Sequence, residues 1–162
     1  MTFQATGQIG LPPVDDVSTA AKVKLGTIAK FVDPYLGEGE FIYLEGVANT
    51  TAGNVVNYDD SFQTALNTTG LATPRPLAVA MAAIVADRYG WYQISGIATV
   101  KKANTVSFAK GAALAAGSGL AIAVVSGLIA NGALVAVVAS AKSDVTSVKV
   151  MVNRPHDPSD VS

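Results

Sequence analysis

The sequence predicts an all-β fold: a single barrel- or sandwich-like domain of about eight to ten short strands with an extended N-terminal arm. Three observations lead to this prediction. Apolar and polar residues alternate with the two-residue period of a strand in several segments, most clearly in residues 91–100. Gly, Pro, Asn and Asp recur between these segments as turn signals. No segment requires a long helix, and short strands at such spacing are typical of barrels and sandwiches.

Length and composition indicate one weakly charged domain. The 162 residues are enough for one domain with a substantial core. Half of them are hydrophobic and only 14% are charged, whereas an exposed surface normally carries more charge. We therefore expect a homo-oligomer or a component of an assembly. The net charge is −1 and the basic residues are scattered, so no nucleic-acid partner is expected.

Residues 1–22 are predicted to form an extended arm. Thr, Gln and Gly dominate its beginning, and the two prolines of Leu11-Pro12-Pro13-Val14 favour an extended backbone. One interpretation is a disordered terminus. The other is an arm that a neighbouring chain orders. The candidate partner contacts on the arm are its apolar residues and prolines: Phe3, Ile9, Leu11, Pro12, Pro13 and Val14.

The first half of the predicted β domain, which spans residues 23–154, contains four strands. In residues 23–32, Val23, Leu25, Ala29 and Phe31 share one parity and lysines occupy the other, which predicts one buried and one wet face. Residues 33–39 form a Pro- and Gly-containing turn. Strands are then predicted for residues 41–47 and 53–58, and a weaker one for residues 62–68.

The chain is predicted to be organised around residues 77–102. This stretch holds two apolar segments separated by Asp87-Arg88-Tyr89-Gly90. The second segment alternates as a strand, and the first, which is rich in Ala, is interpreted as its hairpin partner because only four residues link the two. A hairpin with apolar residues on both faces is not stable alone in water. The remaining chain must therefore cover it.

Residues 111–141 contain no charged side chain, which raises the alternative of a membrane span. A helix needs about 20 unbroken apolar residues to cross a bilayer. Glycines interrupt this run repeatedly, so short buried strands are the preferred interpretation, with a hairpin at Asn131-Gly132. Residues 145–153 alternate again and predict the last strand. Residues 155–162 are predicted to be a C-terminal tail.

No residue pattern predicts an active site, a cofactor or a metal. The chain lacks cysteine, which excludes disulfides, thiolate metal sites and cysteine nucleophiles. Its one histidine, His156, lies in the Pro-flanked tail without a fixed partner for acid–base chemistry. The acidic pair Asp59-Asp60 is explained by a turn. We therefore predict a protein that is not an enzyme.

Three stretches of the sequence resemble the capsid decoration, or cement, proteins of tailed bacteriophages. They are GTIAKFVDPYLGEGEFIYLEGVANTTAGNVVNYD (residues 26–59), PLAVAMAAIVADRYGWYQISGIATVKK (76–102) and VMVNRP (150–155). The resemblance implies a β-rich virion protein, often trimeric, that is made in the host cytoplasm and binds the major capsid protein on the outer capsid surface. Two alternatives remain: another virion component, such as a fibre base or tail protein, and a carbohydrate-binding or hydrolytic β-sandwich.

Overall fold

The computed structural model describes residues 4–5, 10–66, 75–103, 106–107, 109–117, 120–123, 134–137 and 147–154. Eleven strands lie within these ranges. In chain order they are β1 (Gln4–Ala5), β2 (Ile28–Asp33), β3 (Gly37–Glu45), β4 (Val55–Tyr58), β5 (Thr64–Leu66), β6 (Leu77–Ala80), β7 (Tyr89–Lys101), β8 (Ala113–Gly117), β9 (Leu120–Ala123), β10 (Leu134–Ala136) and β11 (Ser147–Asn153).

The predicted all-β fold is confirmed, and the described residues contain no helix. The strands join into one antiparallel sheet that curls into a half-barrel, in the order β1-β2-β3-β7-β11-β10-β8-β9. A branch leaves this path at β7, where β6 pairs with β7 and β4, and β4 pairs with β5. The number of strands is slightly above the eight to ten that the sequence predicted.

Strand β7 is the centre of the sheet, as the sequence predicted for this stretch. It is the longest strand, with 13 residues, and it pairs with β3, β6 and β11. The predicted hairpin between the two apolar segments also forms, because Val79 pairs with Gln93 and Ala80 with Tyr92. Its connection is longer than predicted: β6 ends at Ala80, and residues 81–88 form a loop. Ile84 in this loop is buried, so burial of an apolar side chain holds the loop against the sheet.

The inner face of the half-barrel contains two apolar clusters. The aromatic cluster consists of Val14, Ala29, Phe31, Phe41, Tyr43, Met81 and Trp91. The aliphatic cluster consists of Val55, Leu77, Val79, Ala98, Val100, Leu114, Ala136, Val148, Val150 and Val152. Gln93 lies between them, because it stands opposite Phe41 of the first cluster and Val79 of the second, and directly opposed residues share a face.

Within the described residues, a buried cluster covers one end of the opposite, outer face of the sheet. There Ile42, Leu44, Val56, Ala78, Ala80, Ile84, Tyr92 and Ile94 form a third buried cluster. Phe62 and Leu66 pack against it from outside. Residues on both faces of β3 are consequently buried, which explains its run of four fully covered side chains, Phe41 to Leu44.

Several strand boundaries differ from the predicted ones. The largest difference is at β2, which begins at Ile28 instead of residue 23. Gly26 interrupts the strand with a φ of +81°, and a Cβ there would lie 2.4 Å from the ring of Phe62. Regular strand backbone has negative φ, so the positive φ at this glycine breaks the extended run before β2. Val23 and Leu25 still pack against the aromatic cluster, which explains their alternation with lysines.

The other predicted strands are present with shifted ends. The predicted strands 41–47, 53–58, 62–68 and 145–153 correspond to β3, β4, β5 and β11. The uncharged stretch 111–141 contributes three short strands, β8, β9 and β10, in which Leu114 and Ala136 are buried. The hairpin predicted at Asn131-Gly132, the end of the weak strand at residues 67–68 and the tail 155–162 lie outside the described residues.

Candidate protein-interaction surface

The uncovered part of the outer face carries a row of side chains across five neighbouring strands. Val32 of β2 stands opposite Glu38 of β3, Ile97 of β7 stands opposite Met151 of β11, and Met151 stands opposite Val135 of β10. The two halves are joined through the β3–β7 ladder, where Glu40 stands opposite Ser95, because Glu38 and Ile97 each lie two residues farther along and thus on the same side of their strands. Since directly opposed residues share a face, we call this set the outer-face row: Val32, Glu38, Ile97, Met151 and Val135.

Exposed apolar side chains concentrate on and beside the outer-face row. The large hydrophobic residues that are exposed within the described ranges are Val17, Ile28, Val32, Tyr35, Val85 and Met151. Val32 and Met151 belong to the row, at 37% and 43% exposure, and Ile28 lies on the same face of β2. A sheet face toward water normally carries polar residues. A cluster of apolar ones instead indicates a contact surface.

The charges on this face are mostly neutralised within the face. Lys30 Nζ lies 3.2 Å from Glu38 Oε1, and Arg154 Nη2 lies 3.0 Å from Glu40 Oε2. The backbone N–H of Arg154 donates to the carbonyl of Ile94 at 2.7 Å, which holds the backbone of this residue at the end of β11. Exposed ion pairs of this kind contribute little stability, about 0–1 kcal/mol each. Because these charges are paired, this part of the face has no strong positive or negative electrostatic potential.

Tyr35 extends from the turn between β2 and β3 and is 91% exposed. Hydrogen bonds within the turn fix its shape: the buried Asp33 carboxylate accepts them from the N–H groups of Tyr35 and Leu36 at 2.7 and 2.9 Å. Leu36 packs against the aromatic cluster. A rigid turn therefore presents a large aromatic side chain at the end of the same hairpin that carries Ile28 and Val32. Rigid aromatic side chains make effective protein contacts because few rotamers are lost on binding.

The structure places the predicted contact residues of the arm in two environments. Pro12 and Val14 are buried in this chain's own fold, and Leu11 is half-buried against the aromatic cluster. The indole N–H of Trp91 donates to the carbonyl of Pro12 at 3.2 Å. The Pro-Pro segment thus packs on this chain's own fold, and contact of these residues with a partner stays a prediction. Pro13 is exposed, and Phe3 and Ile9 lie outside the described residues.

Polar contacts fix the second part of the arm. Ser18 and Tyr89 exchange backbone hydrogen bonds of 3.0 Å in both directions. Asp16 accepts hydrogen bonds from Lys22 Nζ at 2.8 Å and from the Ser18 hydroxyl at 2.5 Å. These hydrogen bonds, the one from Lys22 most, lower the pKa of the Asp16 carboxyl. Residues 10–22 are thus held against the rest of the fold, and they are not continuously extended, because the N–H of Asp16 closes a turn on the carbonyl of Pro13 at 3.1 Å.

The buried polar side chains have structural roles. The Gln93 amide donates to the carbonyls of Ser95 and Ile97 at 3.0 and 3.1 Å, where the register between β3 and β7 shifts. This side chain thus provides hydrogen bonds for two carbonyls beside a bulge, where a ladder is locally disrupted. Burial raises the pKa of the Tyr92 phenol, so this group stays neutral. Within the described ranges no group of three or more His, Asp or Glu residues is arranged to hold a metal ion, and no helix is long and apolar enough to cross a membrane.

Sequence reasoning missed the outer-face row. It also missed Tyr35, which lies beside the row: residues 33–39 are predicted only as a turn, although an aromatic residue inside a Pro- and Gly-containing turn is a usable signal. The alternation of Ile28, Lys30 and Val32 on the outward parity of β2 was a second signal. Met151 could not be joined to these residues, because the pairing of β7 with both β3 and β11 determines their proximity.

Comparison with known proteins adds no relative: no family model, curated protein or solved structure matches the chain.

Proposed function

We propose that this chain is a non-enzymatic structural protein of a tailed-bacteriophage virion that binds the outer surface of the major capsid shell and stabilises it. The observation that carries the proposal is the outer-face row, an apolar surface with internally neutralised charges on a rigid sheet. Such a surface suits a protein partner better than a charged polymer or a small polar ligand. The resemblance of residues 26–59, 76–102 and 150–155 to decoration proteins supports the same role.

The mechanism of such a protein is burial of surface between neighbours. A stable protein contact removes about 800 Å² per partner from water. A module that binds only the assembled shell adds its binding free energy to the work needed to open the shell. No bond is made or broken, and no cofactor takes part. The protein would also self-associate, as a trimer if the resemblance extends to oligomeric state.

Rigidity fits this role. Strands β2, β3, β7 and β11 are held in ladders on the inner apolar clusters, so the outer-face row is in place before binding. A preorganised surface loses little conformational entropy when a partner covers it. Binding would therefore be passive docking on a shell surface, without folding of the partner-facing strands.

The test is the release of the protein from purified phage particles that carry it. We expect the chain to co-purify with intact particles and to dissociate in mild denaturant before the shell opens, as followed by sedimentation and protein staining. Gold-labelled antibody should mark the capsid surface. Antibody label on the tail or fibre base would show that the protein belongs to that part of the virion instead of the capsid. Absence of the protein from washed particles would contradict the proposal.

A further inference from the structure

The C-terminal end of β7 and its neighbours carry lysines that form no ion pair within the described part of the chain. The ion pairs of Lys30 and Arg154 neutralise the middle of the outer face, but the pattern changes beyond the outer-face row. We propose that Lys101, Lys110 and Lys149, which we call the lysine end, bind an acidic segment of a partner protein. The lysine end lies outside the outer-face row, and the inference goes beyond the proposed function.

Strand pairing brings two of these lysines together on the outer face. Lys101 of β7 stands opposite Ser147 of β11, and Thr99 of β7 stands opposite Lys149 of β11. The two lysines are therefore diagonal neighbours on one face, with Cα atoms about 7–8 Å apart. Lys149 lies on the exposed parity of β11, which alternates between exposed and buried residues. Two positive charges thus point to the same side at a short distance.

The third lysine reaches the same end of the sheet through a turn. Lys110 lies just before β8, and the N–H of the next residue, Gly111, donates to the carbonyl of Ala136 at 2.8 Å. The N–H of Val137 in turn donates to the carbonyl of Lys149 at 3.0 Å. The turn is thus attached to β10, and it lies two strand spacings, about 10 Å, from β11. Lys110 and Lys149 are both exposed.

A hydrogen-bonded loop holds the ammonium group of Lys101 in place. Lys101 Nζ donates to the hydroxyl of Thr51, and this hydroxyl donates to the side-chain oxygen of the buried Asn54 at 2.7 Å. The loop is joined to β7, because the backbone N–H of Lys101 donates to the carbonyl of Gly53 at 2.8 Å. An ammonium group has three donors, so the bond to Thr51 leaves two that can meet an anion. A cation positioned in this way loses little conformational entropy on binding.

Charge complementarity identifies the occupant as a short acidic segment of a protein. Like charges on neighbouring strands repel, and carboxylates placed between them remove this cost. In an extended segment, side chains at alternate positions lie about 7 Å apart, which matches the separation of Lys101 and Lys149. Nucleic acid is a poorer match, because its charge repeats along the whole backbone. Three lysines at one end of a chain whose net charge is −1 do not provide a longer cationic track.

The experiment is an NMR titration of the isotope-labelled full-length chain with the peptide hexaglutamate at low salt. The amide signals of Thr51 and of the lysine end should shift, and about 0.5 M sodium chloride should suppress the shifts by screening. Hexaglutamine is the neutral control peptide. The double substitution Lys101→Gln, Lys149→Gln should raise the dissociation constant at least about fivefold, because two charge contacts are lost.

The matched control is Lys24→Gln, compared with the single variant Lys149→Gln. Lys24 is also exposed and forms no ion pair with another described residue. It lies near the opposite end of β7, because the N–H of Gly26 donates to the carbonyl of Tyr43, which stands opposite Trp91. We expect Lys149→Gln to weaken peptide binding and Lys24→Gln to leave it unchanged. Circular dichroism melting establishes that each variant is folded.

Three results would overturn the inference. The first is the absence of shifts at peptide concentrations up to about 10 mM. The second is an equal effect of Lys149→Gln and Lys24→Gln, which would show general attraction of the peptide to any lysine. The third is tighter binding of an oligothymidylate of the same length than of hexaglutamate, which would assign the lysine end to nucleic acid. Shifts confined to the lysine end and lost in the double variant would support it.

Discussion

The two clusters on the inner face of the sheet are built in different ways. The aromatic cluster contains Phe31, Phe41, Tyr43 and Trp91, whose rings meet edge to face. The ring centroids of Trp91 lie 5.2 Å from Phe31 and 5.1 Å from Tyr43. Among the described residues, the aliphatic cluster consists of Val, Ala and Leu. One cluster depends on directional contacts between large rings and the other on the burial of many small side chains.

The difference between the two clusters determines where a single substitution destabilises the fold most. An aromatic pair adds about 0.5–1.5 kcal/mol beyond its area burial, so the aromatic cluster concentrates stability in few residues. It also supports the elements that present the outer surface, since Leu36 below the Tyr35 turn and Val14 of the arm pack into it. In the aliphatic cluster the buried apolar surface is spread over ten described residues. Single substitutions there should have smaller effects.

The largest effect is expected for Trp91→Ala in the aromatic cluster. The substitution removes a fully buried ring, its contacts with Phe31 and Tyr43, and the hydrogen bond to the Pro12 carbonyl. We expect a loss of about 3–5 kcal/mol in the free energy of unfolding. Urea denaturation followed by circular dichroism measures it. A loss below 1 kcal/mol would show that the cluster does not hold the fold.

The second effect is expected at the junction between the clusters, where Gly96 has a φ of +98°. A methyl group in Gly96→Ala would meet the carbonyl oxygen of Glu38 at 2.7 Å and the Cα of Gly39 at 3.1 Å. Positive φ and backbone contacts together should destabilise the fold by about 2–3 kcal/mol. Thermal unfolding checks this, with Gly37→Ala as the control. Gly37 also has positive φ, +80°, but a Cβ there meets no atom within 4 Å. Equal losses for both variants would show that φ alone determines the cost.

The third effect tests the aliphatic cluster directly. Val150→Ala removes two methyl groups from a fully buried residue of β11. We expect a loss of about 2 kcal/mol, since each buried methylene contributes about 0.8 kcal/mol and a small cavity adds to it. The comparison with Trp91→Ala under the same denaturation conditions gives the difference between the two clusters. A Val150→Ala variant less stable than Trp91→Ala would reverse their ranking.

These sensitivities follow partly from the sequence and partly from pairings that it does not show. The alternation in residues 91–100 predicted β7, and its position as the centre of the fold was confirmed. The register shift between Glu40 and Phe41 was not predictable, because it depends on how β3 and β7 meet across fifty residues of chain. The interruption at Gly26, two residues before β2 begins, was likewise hidden by the regular alternation of lysines around it.

The arm shows a second reason why sequence reasoning was incomplete. Its pre-extended Pro-Pro segment suits any shallow apolar surface, and the sequence does not say whether that surface belongs to the same chain. In the structure the segment packs on the aromatic cluster of its own chain. A tethered segment is present at a high effective concentration near its own domain, and this favours contact within one chain. The outer-face row was missed for a related reason: its residues come from β2, β3, β7, β10 and β11.

The smallest effect is expected at the surface of the arm. Asp16→Asn removes the ion pair with Lys22, whose side chain is half exposed, and should cost less than about 1 kcal/mol at neutral pH. Because the folded state lowers the pKa of Asp16, the carboxylate stabilises the fold at pH values above the ordinary value of 3.8. That contribution is lost as the pH decreases through the lowered folded pKa. Chemical denaturation across acidic pH should therefore show the wild type and the variant converging. A constant difference would exclude ionisation of Asp16 as its cause.

The heat resistance of phage particles tests the central claim most directly. Particles that carry the chain are stripped of it with mild denaturant, divided, and recombined either with the purified full-length protein or with buffer. Release of packaged DNA, followed by dye fluorescence during heating, reports the opening of the shell. The account predicts that stripped particles open at a lower temperature and that the added protein restores the original one. Equal opening temperatures for stripped and recombined particles, with the protein shown to be bound, would contradict a stabilising role.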